Sequence, residues 1–142
     1  MAKQISVFLE NKEGRLAHVT RVLAKAGINI RALSVADTSD FGILRIIVND
    51  PDRAYQELKA NNFTVSETDV IAVKTPDSPG GLASILDKVS EENLNIEYLY
   101  AFVGTTNNEA LIIFKVEDIE TAQRIFIDKG IKVVSAKELY SL

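Results

Sequence analysis

The chain has 142 residues, 46% of them hydrophobic and 25% charged, which suits a fully folded globular protein and excludes wholesale disorder. Its 16 Lys and Arg against 20 Asp and Glu leave a formal charge of −4, so the summed field repels nucleic-acid phosphate and anionic membranes, and no basic cluster stands out in the sequence to override it. Zero cysteines exclude disulfides, thiol catalysis and thiolate metal sites, and the single His18 excludes a multi-histidine metal centre.

Residues 1 to 4 enter a polar-apolar alternation directly, without the apolar core of a signal peptide, and no apolar run approaches the roughly 18 residues of a membrane span. The expected location is cytoplasmic. In residues 3 to 10, Ile5, Val7 and Leu9 alternate with Gln4, Ser6 and Phe8, the period of a half-buried strand. Gly14 opens a helical segment with Leu16, Val19, Leu23 and Ala26 on one stripe and His18, Arg21 and Lys25 on another; Gly27 follows where a left-handed cap ends a helix. His18, on the polar stripe, is expected to face solvent. Residues 28 to 36 read as a second strand, Asp37 to Asp40 as a turn, and residues 41 to 48 as a β-branched central strand, so the two strands form a hairpin. Asp50 and Pro51 supply the N-cap and first position of a helix that carries Ala54 and Leu58 and ends near Asn61 and Asn62. A short strand over residues 63 to 67 closes this half.

The same order then returns as strand 70–74, helix 82–92, strand 94–102, turn 104–108, strand 110–116, helix 119–128 and strand 131–135. Gly14-Arg15-Leu16-Ala17 reappears 66 residues on as Gly80-Gly81-Leu82-Ala83, and Gly27-Ile28-Asn29-Ile30 as Asn93-Leu94-Asn95-Ile96. Beyond the turn the offset is 68, with Asp50 matching Asp118 and Asn62 matching Gly130, so the second hairpin carries two extra residues. A period this long describes two small domains, expected at residues 1–69 and 70–142, rather than a solenoid.

A βαββαβ order implies the α+β, ferredoxin-like architecture: a four-stranded antiparallel sheet with both helices on one face. Two cores of about 70 residues are marginal alone, so the modules are expected to bury surface against one another or against a second copy in a homodimer. On the face away from the helices, Phe41, Ile43 and Ile47 are apolar, and Tyr98, Tyr100 and Phe102 align with Ala32, Ser34 and Ala36. Such unequal volumes fit two opposed sheets that interdigitate, or two copies that drifted in separate environments.

Asp77-Ser78-Pro79-Gly80-Gly81-Leu82, followed by a helix and Leu94-Asn95-Ile96, resembles the D-x-P-G-x-L opening and later N-I pair of the ACT domain, a small-molecule-binding regulatory module of amino-acid metabolism. Glu10 to Leu16 and Ile28-Asn29-Ile30 resemble it too, with Glu13 where proline is usual. The resemblance implies a free amino acid wedged between two modules, touching the first strand-to-helix loop of one and the second strand of its neighbour. The implied ligand residues are Asn11, Lys12, Glu13, Gly14, Arg15, Leu16, Asn29 and Ile30 in the first copy. In the second they are Asp77, Ser78, Pro79, Gly80, Gly81, Leu82, Asn95 and Ile96.

The chemistry suits those residue types. Glycine lets backbone approach a ligand, helix N–H groups receive a carboxylate, and asparagine or aspartate oxygens accept from an ammonium. The plainer alternative is that Gly14 and Gly80 only permit a turn, Pro79 stiffens it, and Asn11 or Asp77 caps backbone. An inward-pointing Glu13 would repel a carboxylate, which makes the two sites unequal. Arg45, the one charge in an apolar strand, suits either a ligand carboxylate or an acid across an interface.

No catalytic constellation, metal site or cofactor is implied, and Asp40-Phe41-Gly42 spells a kinase motif without its companions. The expectation is a non-enzymatic regulator that senses an amino acid and signals to a separate, unidentified protein. An RNA-binding βαββαβ protein is the alternative that Tyr98, Tyr100 and Phe102 favour and the net charge opposes. A small enzyme on the same scaffold is the other.

Overall fold

The computed structural model describes residues 1–10, 12–37, 41–102 and 108–142. Its elements are β1 (Ala2–Glu10), α1 (Arg15–Lys25), β2 (Ile30–Asp37), β3 (Phe41–Val48), α2 (Pro51–Ala60), β4 (Thr64–Pro76), α3 (Gly81–Ser90), β5 (Ile96–Ala101), β6 (Glu109–Val116), α4 (Ile119–Asp128), β7 (Lys132–Val134) and α5 (Ala136–Ser141). They form two compact units, residues 3–68 with 140–142, and residues 69–139 with 1–2.

In the first unit β3 pairs antiparallel with both β1 and β2, with Ile5 opposite Ile46, Glu10 opposite Phe41, and Ile30 opposite Val48. This register puts Ile5, Val7, Leu9, Leu44, Ile46 and Val48 in one core with Val19, Val22 and Leu23 of α1 and Ala54 and Leu58 of α2. In the second unit β5, β6, β4 and β7 follow in antiparallel order, a complete ferredoxin-like sheet. Ile71, Val73, Ile112, Phe114 and Val116 pack there on Ile85 and Val89 of α3 and Ala122 and Phe126 of α4, with the Phe114 and Phe126 rings edge to face at 5.5 Å. Each such fully buried side chain contributes roughly 1.5–3 kcal/mol. Both units therefore have the two-layer frame that the repeated pattern implies.

Local chemistry sets the ends of the helices. Asp50 accepts from the Arg53 N–H at 3.2 Å and Asp118 from the Thr121 N–H at 3.2 Å, the paired N-caps of α2 and α4. After the four long helices, Gly27, Asn62, Asn93 and Gly130 all take positive φ, between 55° and 75°, the conformation expected of them.

Four expectations need correction. The strands over 63–67 and 70–74 are one 13-residue strand, β4, because Glu67, Thr68 and Asp69 include no glycine or proline to break it. A fifth helix follows β7; Ser135 Oγ accepts from the Glu138 N–H at 3.2 Å, Leu139 is fully buried, and Glu138 reaches Lys74 of β4 at 3.1 Å. Leu16 is 45% exposed, and Val22 takes its place in the core. His18 is half-buried, its ring 5.0 Å from that of Phe63. On the sheet faces away from the helices Gln4, Ala32, Ile47, Ala72 and Ile113 are buried as well. The expected turns over 37–40 and 104–108, with the two-residue insertion, fall largely outside the described residues.

Candidate functional site

The first strand-to-helix loops of the two units have one design. Arg15 N–H donates to the Lys12 carbonyl at 3.4 Å, and 66 residues on Gly81 N–H donates to the Ser78 carbonyl at 3.0 Å. The third residue of each turn is glycine at φ 79°, ψ −3° (Gly14) and φ 86°, ψ −4° (Gly80). That is a type II turn, in which the second position favours proline and the third needs a left-handed residue. Pro79 therefore occupies the position that suits it, and Glu13 is an exposed replacement in the same turn.

Each turn runs straight into a helix that its glycine cannot cap with a side chain. The first helical hydrogen bonds are His18 N–H to Gly14 O and Ser84 N–H to Gly80 O, both 2.9 Å. The preceding N–H groups, of Leu16 and Ala17 and of Leu82 and Ala83, are the orphan donors of a helix start and carry its partial positive charge. Such a helix start has the chemistry to receive an anion, a carboxylate among them.

The side chains around the two helix starts differ. In the first loop Lys12 binds Glu10 at 2.8 Å, and that hydrogen bond, followed by the lysine charge, holds the Glu10 carboxyl below its ordinary pKa. Arg15 folds over the Phe63 ring, 4.9 Å from guanidinium carbon to ring centre, and its Nε is buried without a hydrogen-bond partner. In the second loop Gly81 stands where Arg15 does, because a Cβ there would lie 2.2 Å from the Pro76 carbonyl oxygen. The α3 N-terminus thus sits directly on the end of β4. Beside it, Thr75 is 2% exposed and its Oγ1 has no hydrogen-bond partner, 3.2 Å from that same Cβ position. Asp77 N–H donates to the Asn108 carbonyl at 2.8 Å, which fixes the start of the loop, and the Asp77 side chain is exposed.

The structure brings the loop residues together and leaves the second-strand residues apart from them. Asn11 lies outside the described residues. Lys12, Glu13, Gly14, Arg15 and Leu16 form one group and Asp77, Ser78, Pro79, Gly80, Gly81 and Leu82 the other. Glu10 is opposite Phe41 while Ile30 is opposite Val48; Pro76 is opposite Glu109 while Ile96 is opposite Val116. Seven residues of strand separate the pairs in each unit, about 23 Å at 3.3 Å per residue. Asn29 and Ile30, like Asn95 and Ile96, are therefore at the far end of the sheet from their own loop. Asn29 is also engaged locally, since its N–H donates to Asn49 Oδ1 at 2.9 Å and its carbonyl accepts from Asn49 N–H at 3.2 Å. Asn95 repeats half of this, accepting from Glu117 N–H at 3.4 Å.

Exposed apolar side chains stand at the start of α1 and along β2 in the first unit. Leu16 is 45%, Leu33 45% and Val35 48% exposed, the last two on β2, the terminal strand of its sheet. Leu82 and Leu99, the counterparts of Leu16 and Leu33, pack against the second core instead. No sequence signal marks this asymmetry, since Leu16 and Leu82 look alike until the neighbouring strands are placed.

The two units thus repeat one fold and one turn at the start of their first helix. The chain belongs to the family described as the ACT domain pair, whose model matches residues 1–142. It is similar to a Bacteroides thetaiotaomicron protein of known crystal structure, with 45% identity and a TM-score of 0.93 over 99% of this chain and 96% of that one. The fold also resembles the regulatory subunit of aspartate kinase from Thermus thermophilus in its ligand-free form, with TM-score 0.64, 18% identity, and 89% and 90% of the two chains covered. The corresponding subunit from Thermus flavus gives 0.63 at 18% identity, with 88% of each chain covered. No curated protein sequence matches.

Proposed function

We propose that the protein is a non-enzymatic cytoplasmic regulator that binds a free amino acid at its strand-to-helix loops and transmits occupancy to a separate protein. The observation that carries this is the repeated turn, in which a left-handed glycine delivers two uncapped N–H groups at a helix start in both units. Those N–H groups receive the ligand carboxylate. The fold shared with regulatory subunits of aspartate kinase agrees with such a role.

The ammonium needs acceptors that the loop's own unit does not bring close, because Asn29 is about 23 Å away along the sheet. A second copy solves this. If two β2 strands pair antiparallel about a twofold axis, the Ile30 end of one meets the Asp37 end of the other, which is the loop end. The exposed Leu16, Leu33 and Val35 beside that edge favour such a homodimer. Ligand and dimer then stabilise each other, and only a differential affinity for the two association states passes the signal on.

A thermal-shift screen against the free amino acids tests the proposal. A specific ligand at 100 times its Kd adds about 2.7 kcal/mol and raises the midpoint by several degrees. No stabilisation by any amino acid at millimolar concentration counts against it.

A further inference from the structure

α1 and α2 pack side by side in the first unit, and between them runs a groove of about 270 Å³. Its lining follows from helical spacing. His18, Arg21 and Lys25 fall at i, i+3 and i+7 on α1, and Arg53, Glu57 and Asn61 at i, i+4 and i+8 on α2, so each trio shares one face. Buried Val22 and Ala26 complete the wall. Three full positive charges and a single carboxylate therefore line one groove, in a chain whose formal charge is −4. Among the described residues Arg21, Lys25 and Arg53 form no ion pair. This basic cluster is not evident in the sequence, where Arg53 stands 28 residues beyond Lys25.

The second unit provides an internal comparison. At the matching positions His18, Arg21 and Lys25 become Ser84, Asp87 and Glu91, while Arg53, Glu57 and Asn61 become Thr121, Ile125 and Lys129. Lys129 there binds Glu91 at 3.2 Å and Glu92 at 3.3 Å, so the single cation at these matching positions is paired within the protein. The same frame with the opposite sign closes on itself. In the first unit the like charges repel one another across a groove in which Glu57 is the single opposing charge.

The geometry points to a binding site in the α1–α2 groove for a small phosphate-bearing anion, a diphosphate group either free or on a nucleoside. Two guanidinium forks and an ammonium match phosphate oxygens, which arginine engages in bidentate fashion. After Glu57 is counted, the net positive charge suits a multiply charged anion better than a single carboxylate. The volume lies just below the about 300–1,000 Å³ typical of ligand pockets, which fits a compact metabolite rather than a helix or a nucleic-acid strand. This site is separate from the strand-to-helix loops, and it stands or falls independently of amino-acid binding.

The test is titration calorimetry on the full chain at low ionic strength, with inorganic pyrophosphate in one arm and ADP in the other. Both are expected to bind saturably, and Arg21→Gln and Arg53→Gln each to weaken binding by about tenfold or more, the size of a lost charge-assisted contact. Lys129→Gln in the second unit is expected to leave binding unchanged. ADP tighter than pyrophosphate supports the site and assigns it to a nucleotide; equal affinities support it with the diphosphate as the whole determinant. Because Arg21 and Arg53 are exposed and without ion pairs, the double variant R21Q/R53Q is expected to melt no lower than the wild type. The inference is overturned by absence of binding of either anion at about 10 mM, or by binding undiminished in the folded double variant. It is equally overturned if sodium chloride at matched ionic strength reproduces the effect.

Discussion

Gly81→Ala tests how closely the second loop is built onto its strand. The added Cβ would stand 2.2 Å from the Pro76 carbonyl oxygen and 3.2 Å from Thr75 Oγ1, so helix and strand must part by more than an ångström to restore ordinary contact. The closer of the two groups is backbone, and no rotamer change relieves it. Overpacking of this kind costs typically 1–3 kcal/mol, here toward the upper end, and the better helix propensity of alanine returns at most about 1. A net loss of about 2 kcal/mol lowers the midpoint by roughly 6–10 °C for a chain of this size. Gly80→Ala is the control, since its Cβ meets open space and the cost comes only from φ 86°, about 1–2 kcal/mol without displacement of α3. Circular-dichroism melting reads the stability, and amide chemical shifts of Leu82 and Ala83 read the displacement. A Gly81→Ala protein that melts within about 1 °C of the wild type, with those shifts unmoved, would refute the close packing of α3 on β4.

Three further outcomes are expected. Gly14→Ala should lose about 1–2 kcal/mol because φ is 79°, and Gly14→Asn less, since asparagine tolerates that conformation; equal losses in urea unfolding would contradict the turn assignment. Asp118 is held below its ordinary pKa of 3.8, first by the Thr121 hydroxyl and then by the Thr121 N–H, so its cap stabilises the fold above that pH and is lost as pH falls through the lower folded value. Asp118→Asn should flatten that acid limb of the stability curve, and an unchanged limb would remove Asp118 as its source. Asn29→Ala and Asn95→Ala should weaken the best amino-acid ligand unequally, the larger loss reaching about tenfold if one side chain accepts from the ammonium; unchanged affinity in both would discard these residues from the site.

Much of the frame was legible because its signals are local. The strand over Phe41–Val48 and the helix over Ile119–Asp128 have the expected bounds, and glycine or asparagine marks the left-handed residue after each long helix. Where structure and sequence expectation differ, the signal is either quiet or absent. Ser135-Ala136-Lys137-Glu138 has the spacing of a capping box, and its serine does accept from the Glu138 N–H, but six residues of helix leave little periodicity to notice. β4 continues through Glu67-Thr68-Asp69 because polar residues do not end a strand when no glycine or proline intervenes.

The candidate site was legible only in part. The turn residues could be picked out because glycine recurs at the same place, and the structure groups them. Their distance from Asn29 and Asn95 is a matter of strand register, which no motif encodes. The contact of Arg15 and His18 with Phe63 is likewise a tertiary fact, linking residues some 45 to 48 positions apart. The cationic groove belongs to the same class, since it exists only once α1 and α2 lie side by side.

On the proposed function, the ligand's carboxylate is received at a helix start behind a type II turn. The direct measurement is calorimetric titration of the full chain with the amino acid that stabilises it best, and with the primary amide of that same amino acid. At a pH below its α-amino pKa the amide keeps the side chain and the ammonium, and it puts a neutral carboxamide with one acceptor oxygen where the Leu16, Ala17, Leu82 and Ala83 N–H groups would receive a carboxylate. The amide is expected to bind at least about tenfold more weakly, the worth of a charge-assisted hydrogen bond. Equal affinity for acid and amide would contradict the account.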